Sequence, residues 1–199
     1  MSTETSHAQD SVSAGLIANP KSAESVGAGG VFTVTCVGAD GQTKWSEEFH
    51  NLVVNEGLQD MNSKYFKGSG YTAAWYLGLV SGATSPTYAA GNTLASHSGW
   101  TELVPGTAYT TSGGSVRATA TWNSASPTLA NPSVVSNSVA PASFSMLVNG
   151  TVVAGALLCT AASGTSGVLF SAGSFSGGNK SVDAGDTLNV TYNFSLTGS

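Results

Sequence analysis

Charge is what this chain has least of. Lys, Arg, Asp and Glu together make up 9% of its 199 residues, where a soluble domain ordinarily carries about 25%. The six basic residues are spread from Lys21 to Lys180 without a cluster, and the formal net charge is -5. Binding to a nucleic-acid backbone needs several cations on one face, so that partner is not expected. Histidine is nearly as scarce. His7, His50 and His97 lie far apart, and no pair has the spacing that sets two metal ligands on one element. The two cysteines, Cys36 and Cys159, fall within strand-like runs and read as free buried thiols rather than a disulfide framework. Long apolar runs are absent too. The longest, Thr151 to Cys159, is far short of a membrane span, and Met1-Ser2-Thr3-Glu4 opens neither a basic nor an apolar leader. A chain made in the cytoplasm, without a membrane partner, is expected.

Catalytic signatures are missing as well. No G-x-S-x-G elbow, phosphate-binding Walker loop or H-E-x-x-H helix occurs, and the glycines at Ser112-Gly113-Gly114 and Gly177-Gly178-Asn179 precede no helix. Glu47 and Glu48 are adjacent and point to opposite faces of a strand, which does not suit paired-carboxylate chemistry. Asp183 and Asp186 bracket a glycine turn, where local side-chain capping explains them better than a calcium ion. No cofactor and no enzymatic activity are expected.

What the chain has in plenty is turn and strand chemistry, with 25 glycines and many Ser, Thr and Ala. Val31 to Cys36 alternates, with Phe32, Val34 and Cys36 on one face, and Asp40-Gly41 turns it into a partner strand near Thr43 to Glu47. Asn55 as a cap, Leu58, Met61 and Tyr65 at helical spacing, and Gly68 as a left-handed stop predict one short helix over about 56–67. Ala73 to Val80 reads as a buried central strand, and Ser81 to Ser98 as a long surface loop. Trp100 to Val104 and Ser115 to Asn123 read as further strands, the second placing Arg117 off the core side. Val134 and Val135 fit a short edge strand. Asn149-Gly150, between Ser143–Val148 and Thr151–Cys159, predicts a hairpin, and Thr187 to Leu196 closes the count. Eight to ten short strands and one helix predict a mainly β chain: an antiparallel β-sandwich, jelly-roll-like or Ig-like, over 31–199. Residues 1–30 are too polar to form a core and read as an extended N-terminal arm, whose sizeable apolar groups are Val12, Leu16, Ile17 and Val26.

Three phrases resemble a known family: NLVVNEGLQDMNSKYFKGSGYTAAWYLGLV from Asn51, AAGNTLASHSGWTE from Ala89 and SGGNKSVDAGDTLNVTYNFS from Ser176. Across about the last 170 residues the chain is similar to small virion structural proteins of tailed bacteriophages. The resemblance implies a capsid decoration, or cement, role: a homo-oligomer, trimer or dimer, on the head lattice, with the arm reaching over a neighbour or onto the major capsid protein. The sparse charge fits a surface that works packed against copies of itself. A second reading is a tail- or fibre-associated adhesion module that stacks host glycan on Trp75, Tyr76 and Trp100; it requires these aromatics to be exposed together.

Overall fold

A computed structural model describes residues 25–70, 74–123 and 130–198. The described residues form two antiparallel sheets and one helix. The first sheet contains β1 (Val26–Val37), β2 (Thr43–His50), β5 (Tyr109–Thr110), β7 (Ser133–Ser136), β8 (Ala142–Met146) and β12 (Thr187–Gly198), in the order β2-β1-β12-β8-β5 with β7 also on β12. The second holds β3 (Leu52–Val53), β4 (Tyr76–Ser81), β6 (Ala118–Thr119), β9 (Thr151–Cys159), β10 (Leu169–Ser174) and β11 (Lys180–Val182), in the order β3-β10-β9-β4-β6 with β11 on β9. Helix α1 (Asn55–Tyr65) follows β3.

The expected face of β1 is the core face: Phe32, Val34 and Cys36 are fully buried, against Phe144, Leu188, Val190 and Tyr192 of the same sheet and Leu77, Leu79 and Leu158 of the other. Strand β1 starts earlier than expected, however. Residues 26–30 pair with residues 194–198, and Gly30 is buried with the Tyr192 ring lying over it. A Cβ at Gly30 would sit 2.2 Å from the Tyr192 hydroxyl, so an aromatic covers the glycine where a side chain would otherwise pack. Val26, expected in the arm, belongs to this strand.

A second apolar layer lies on the outer face of the β4–β9–β10 sheet. Val54, Leu94, Trp100 and Tyr88 cover Val80, Ala154, Leu157, Cys159, Leu169 and Ala172 there. The chain therefore stacks sheet, core, sheet, second core and a covering layer built largely from the 82–108 loop. This explains why β9 is apolar without alternation: from Val153 to Cys159 every residue is buried. An extra residue at Ala154 shifts the register between Val153 and Gly155 against β4. The bulge changes the side-chain parity, so Val153 and Ala156, three apart, both join the core between the sheets. Gly155 is required at this point, since a Cβ would lie 1.9 Å from the Gly173 carbonyl oxygen.

Three local expectations need correcting. The Asn149-Gly150 turn is not a hairpin: β8 pairs with β12 and β5, β9 pairs with β4, β10 and β11, and the turn carries the chain from one sheet to the other. A strand buried on both faces has to lie inside a sheet, and the half-exposed β8 cannot give it that environment. Gly150 still takes the left-handed conformation (φ 69°), and the turn is held from outside by Asn149 Oδ1 on the Ala184 N–H and Asp183 Oδ1 on the Gly150 N–H. Secondly, the helix cap is Val54, not Asn55, and makes no side-chain cap bond; the Asn55 N–H instead reaches the Ala90 carbonyl at 2.8 Å. Thirdly, only Ala118–Thr119 of 115–123 and an isolated bridge at Glu102 of 100–104 are in strand pairing.

Candidate functional site

The polar residues with chemical potential are mostly occupied within the fold. Arg117 lies on the face opposite Ala118 and Ala120, as alternation requires, yet it is buried at 5% exposure. Its Nε and Nη2 donate to the two carboxylate oxygens of Glu102 at 2.7 Å each, and Nη1 and Nη2 donate to the carbonyls of Ala161 and Gly164. Four donor contacts in one plane make it a clamp across three segments. Burial disfavours the guanidinium, but the Glu102 bonds outweigh this and hold its pKa above the ordinary value. Next to it, Cys159 is a free, buried thiol whose pKa burial pushes up to about 11.

At another corner, Asp186 is 2% exposed and bound by Lys44 Nζ at 2.8 Å, with the Asp183 N–H at 3.0 Å and Cys36 Sγ at 3.9 Å. Burial pushes the Asp186 carboxyl up, but the Asp183 N–H and Lys44 outweigh it and the net shift is downward. Cys36, also free, is raised to about 11 by burial and the adjacent Asp186 charge. The 183–186 turn is thus organised by its own capping bonds and by a lysine. Among the described residues, no three His, Cys, Asp or Glu side chains are grouped to hold a metal ion.

Glu56 and Asn137 were not singled out in the sequence. Glu56 Oε2 accepts the N–H of Leu94 at 3.1 Å and of Leu169 at 2.7 Å, tying the first turn of α1 to the long loop and to β10. Asn137, fully buried, bonds β12 through its side chain. An acid early in a helix and an Asn after a short strand are ordinary surface patterns, so neither announced its tertiary role.

The three aromatics of the glycan reading do not form one patch. Trp100 is 2% exposed; its Nε1–H donates to Asn92 Oδ1 at 3.1 Å, and the His97 ring stacks on it at 3.8 Å. It anchors the covering loop. Tyr76 packs in the same outer layer, whereas its neighbour Trp75 faces the opposite side of the sheet and meets Phe170 edge-on. Strand alternation separates them. Of the arm residues, Val12, Leu16 and Ile17 lie outside the described residues, and Val26 is 76% exposed at the start of β1.

Apolar side chains stand on the surface instead. Tyr65 and Phe66 are 84% and 78% exposed and touch edge to face at the end of α1. The helix does not use its predicted apolar stripe against the core. Its buried residue is Gly57, where a Cβ would meet the Phe170 carbonyl oxygen at 2.6 Å, and only Met61 of the stripe packs inward. Val104, Val139, Leu147 and Val148 are also exposed.

Compared with family models, curated proteins and solved structures, the chain matches none.

Proposed function

We propose that this chain is a virion structural protein of a tailed bacteriophage, a decoration protein that stabilises the head lattice as a homo-oligomer in contact with the major capsid protein. The observation that carries the reading is the division of labour among its side chains. Arg117, Glu102, Asp186, Asn137 and Glu56 are engaged in holding the two sheets and the covering loop together. The exposed surface offers apolar groups such as Tyr65, Phe66 and Val139, on a chain with only 9% charged residues. Tyr65 and Phe66 stand together on the surface at the end of α1, and adjoining exposed apolar groups mark contact surfaces. The phage-like phrases of the sequence point the same way.

The mechanism is one of avidity. Each copy contributes weak apolar and hydrogen-bonded contacts, and repetition over a closed lattice multiplies them into firm attachment. The arm adds a tethered contact through Val12, Leu16 and Ile17, whose burial offsets the entropy lost on ordering. Because β1 starts at Val26, the arm that can be removed without stripping the first sheet ends at residue 24. The test is to add full-length protein and a chain lacking residues 1–24 to particles devoid of this protein. Unchanged far-UV circular dichroism with lost attachment supports the role; full occupancy by the shortened chain contradicts it. The glycan reading is not favoured, because Trp100 is interior and Trp75 and Tyr76 face opposite ways.

A further inference from the structure

The turn that carries the chain from β8 to β9 holds the one Asn-Gly pair of the sequence, Asn149-Gly150. This dipeptide is chemically labile in water. With no side chain on the glycine to hinder it, the glycine nitrogen can attack the asparagine side-chain carbonyl carbon and close a five-membered imide. Both residues are exposed, so solvent has access to the turn. Yet both reacting groups are engaged. Asn149 Oδ1 accepts the Ala184 N–H at 2.9 Å, and the Gly150 N–H donates to Asp183 Oδ1 at 3.0 Å. The Thr151 hydroxyl closes the turn from its other end, donating to the Val148 carbonyl at 2.8 Å.

The two residues that hold the pair stand on a firm mount. Asp186, 2% exposed and bound by Lys44, accepts the Asp183 N–H through its carboxylate, and the Asp186 N–H returns to the Asp183 carbonyl at 3.0 Å. The Gly185 N–H donates to the Met146 carbonyl and the Met146 N–H to the Asp186 carbonyl, which pins the 183–186 turn to the end of β8. Position and charge then act together. The Gly150 nitrogen becomes a nucleophile only by losing its proton. The Asp183 carboxylate holds that proton in a hydrogen bond, and its charge opposes the negative charge that proton loss would leave on nitrogen. The Ala184 bond meanwhile restricts rotation of the Asn149 side-chain amide.

We propose that Asn149 is a site of spontaneous deamidation, and that Asp183 and Ala184 form a clamp that suppresses the reaction in the folded chain. When the clamp opens, hydroxide takes the Gly150 N–H proton and the nitrogen attacks Asn149 Cγ. The Cγ–Nδ2 bond breaks, and the side-chain nitrogen leaves as ammonia after taking a proton from water, which regenerates the hydroxide. A second water opens the imide at either carbonyl, leaving aspartate or isoaspartate at position 149. The product carries a new carboxylate beside Asp183, so like charge opposes re-forming of the clamp. The turn thus records how often this corner of the fold has opened. The proposal is independent of the virion role, because it concerns the chemistry of the chain itself.

The test incubates the full-length protein and its Asp183→Ala variant, which keeps the backbone bonds to Asp186, at mildly alkaline pH. Peptide mass spectrometry follows conversion at Asn149, and native-state hydrogen exchange follows the Gly150 amide and the amides of β9. The unsubstituted protein is expected to convert at least about tenfold more slowly when folded than in concentrated urea. Asp183→Ala is expected to convert about fivefold faster than the unsubstituted folded protein, the factor that one hydrogen bond is worth, with protection lost at Gly150 and kept in β9. Equal conversion in the folded and unfolded chain overturns the proposal, as does a variant that converts at the same rate or more slowly. Acceleration accompanied by loss of protection throughout β9 assigns the effect to global unfolding and also overturns the clamp.

Discussion

The side-chain amide of Asn137 completes the backbone ladder of β12 at Tyr192. Its Oδ1 accepts the Tyr192 N–H at 2.6 Å, and its Nδ2 donates to the Val190 carbonyl at 3.1 Å. β7 covers residues 193–196 of β12 and β8 covers 187–190, so the amide stands in the gap between two short strands. Without it, two backbone groups of an inner strand would be buried and unpaired.

Asn137→Ala is therefore expected to cost about 2–4 kcal/mol, the loss of two buried bonds with both backbone partners left unsatisfied. Asn137→Asp should be no better, since its second oxygen faces the Val190 carbonyl and cannot donate. Urea unfolding followed by circular dichroism measures both. A loss below about 0.5 kcal/mol for the alanine variant would mean the ladder does not need the plug.

The Arg117–Glu102 pair gives a second expectation. Arg117→Ala leaves Glu102 without its cation and takes a donor from each of the Ala161 and Gly164 carbonyls, so a loss of about 3–5 kcal/mol is expected. Arg117→Lys should recover little of this, because an ammonium cannot span both carboxylate oxygens and both carbonyls. The double variant Arg117→Met/Glu102→Leu should be more stable than Arg117→Ala, because it buries no unpaired charge. Chemical denaturation of the three variants compares them directly.

Alkaline pH should destabilise the fold through its buried thiols and phenols. The thiols of Cys36 and Cys159 lie at about 11 in the folded chain against 9.0 ordinarily, and the hydroxyls of Tyr88 and Tyr192 at about 12 against 10.0, all raised chiefly by burial. Below pH 9 these groups are protonated in both states and contribute nothing to the pH dependence. From 9 to about 11 the unfolded chain releases thiol protons that the folded chain retains, so stability falls as pH rises. Cys159 alone accounts for on the order of 2 kcal/mol of that fall. Denaturation midpoints across pH 8–11 should decline, and less steeply for Cys159→Ala; identical slopes would show that this thiol is not the source.

Alternation made β1 and its core face legible, because a period of two along Phe32, Val34 and Cys36 has one physical reading. It also placed Arg117 on the correct face. What it could not supply was a second layer over the outer face, so a buried salt bridge looked like a surface residue. The same layer decides the aromatic question: Trp100, expected at the start of a strand, is what the covering loop folds around, so the joint exposure that the glycan reading requires is not met. At Asn149-Gly150 the local code marked a turn but not a hairpin; which strands that turn joins was decided by burial elsewhere. Helix α1 is the remaining case. Its apolar period was real, but close approach at Gly57 turned that stripe outward.

The central claim is a lattice role, and copy number per particle tests it most directly. Quantitative mass spectrometry of purified virions, referenced to the major capsid protein, should give a ratio near one or a simple lattice fraction of one. A count of a few to a few dozen copies per particle would contradict head decoration and move the protein to a vertex or the tail.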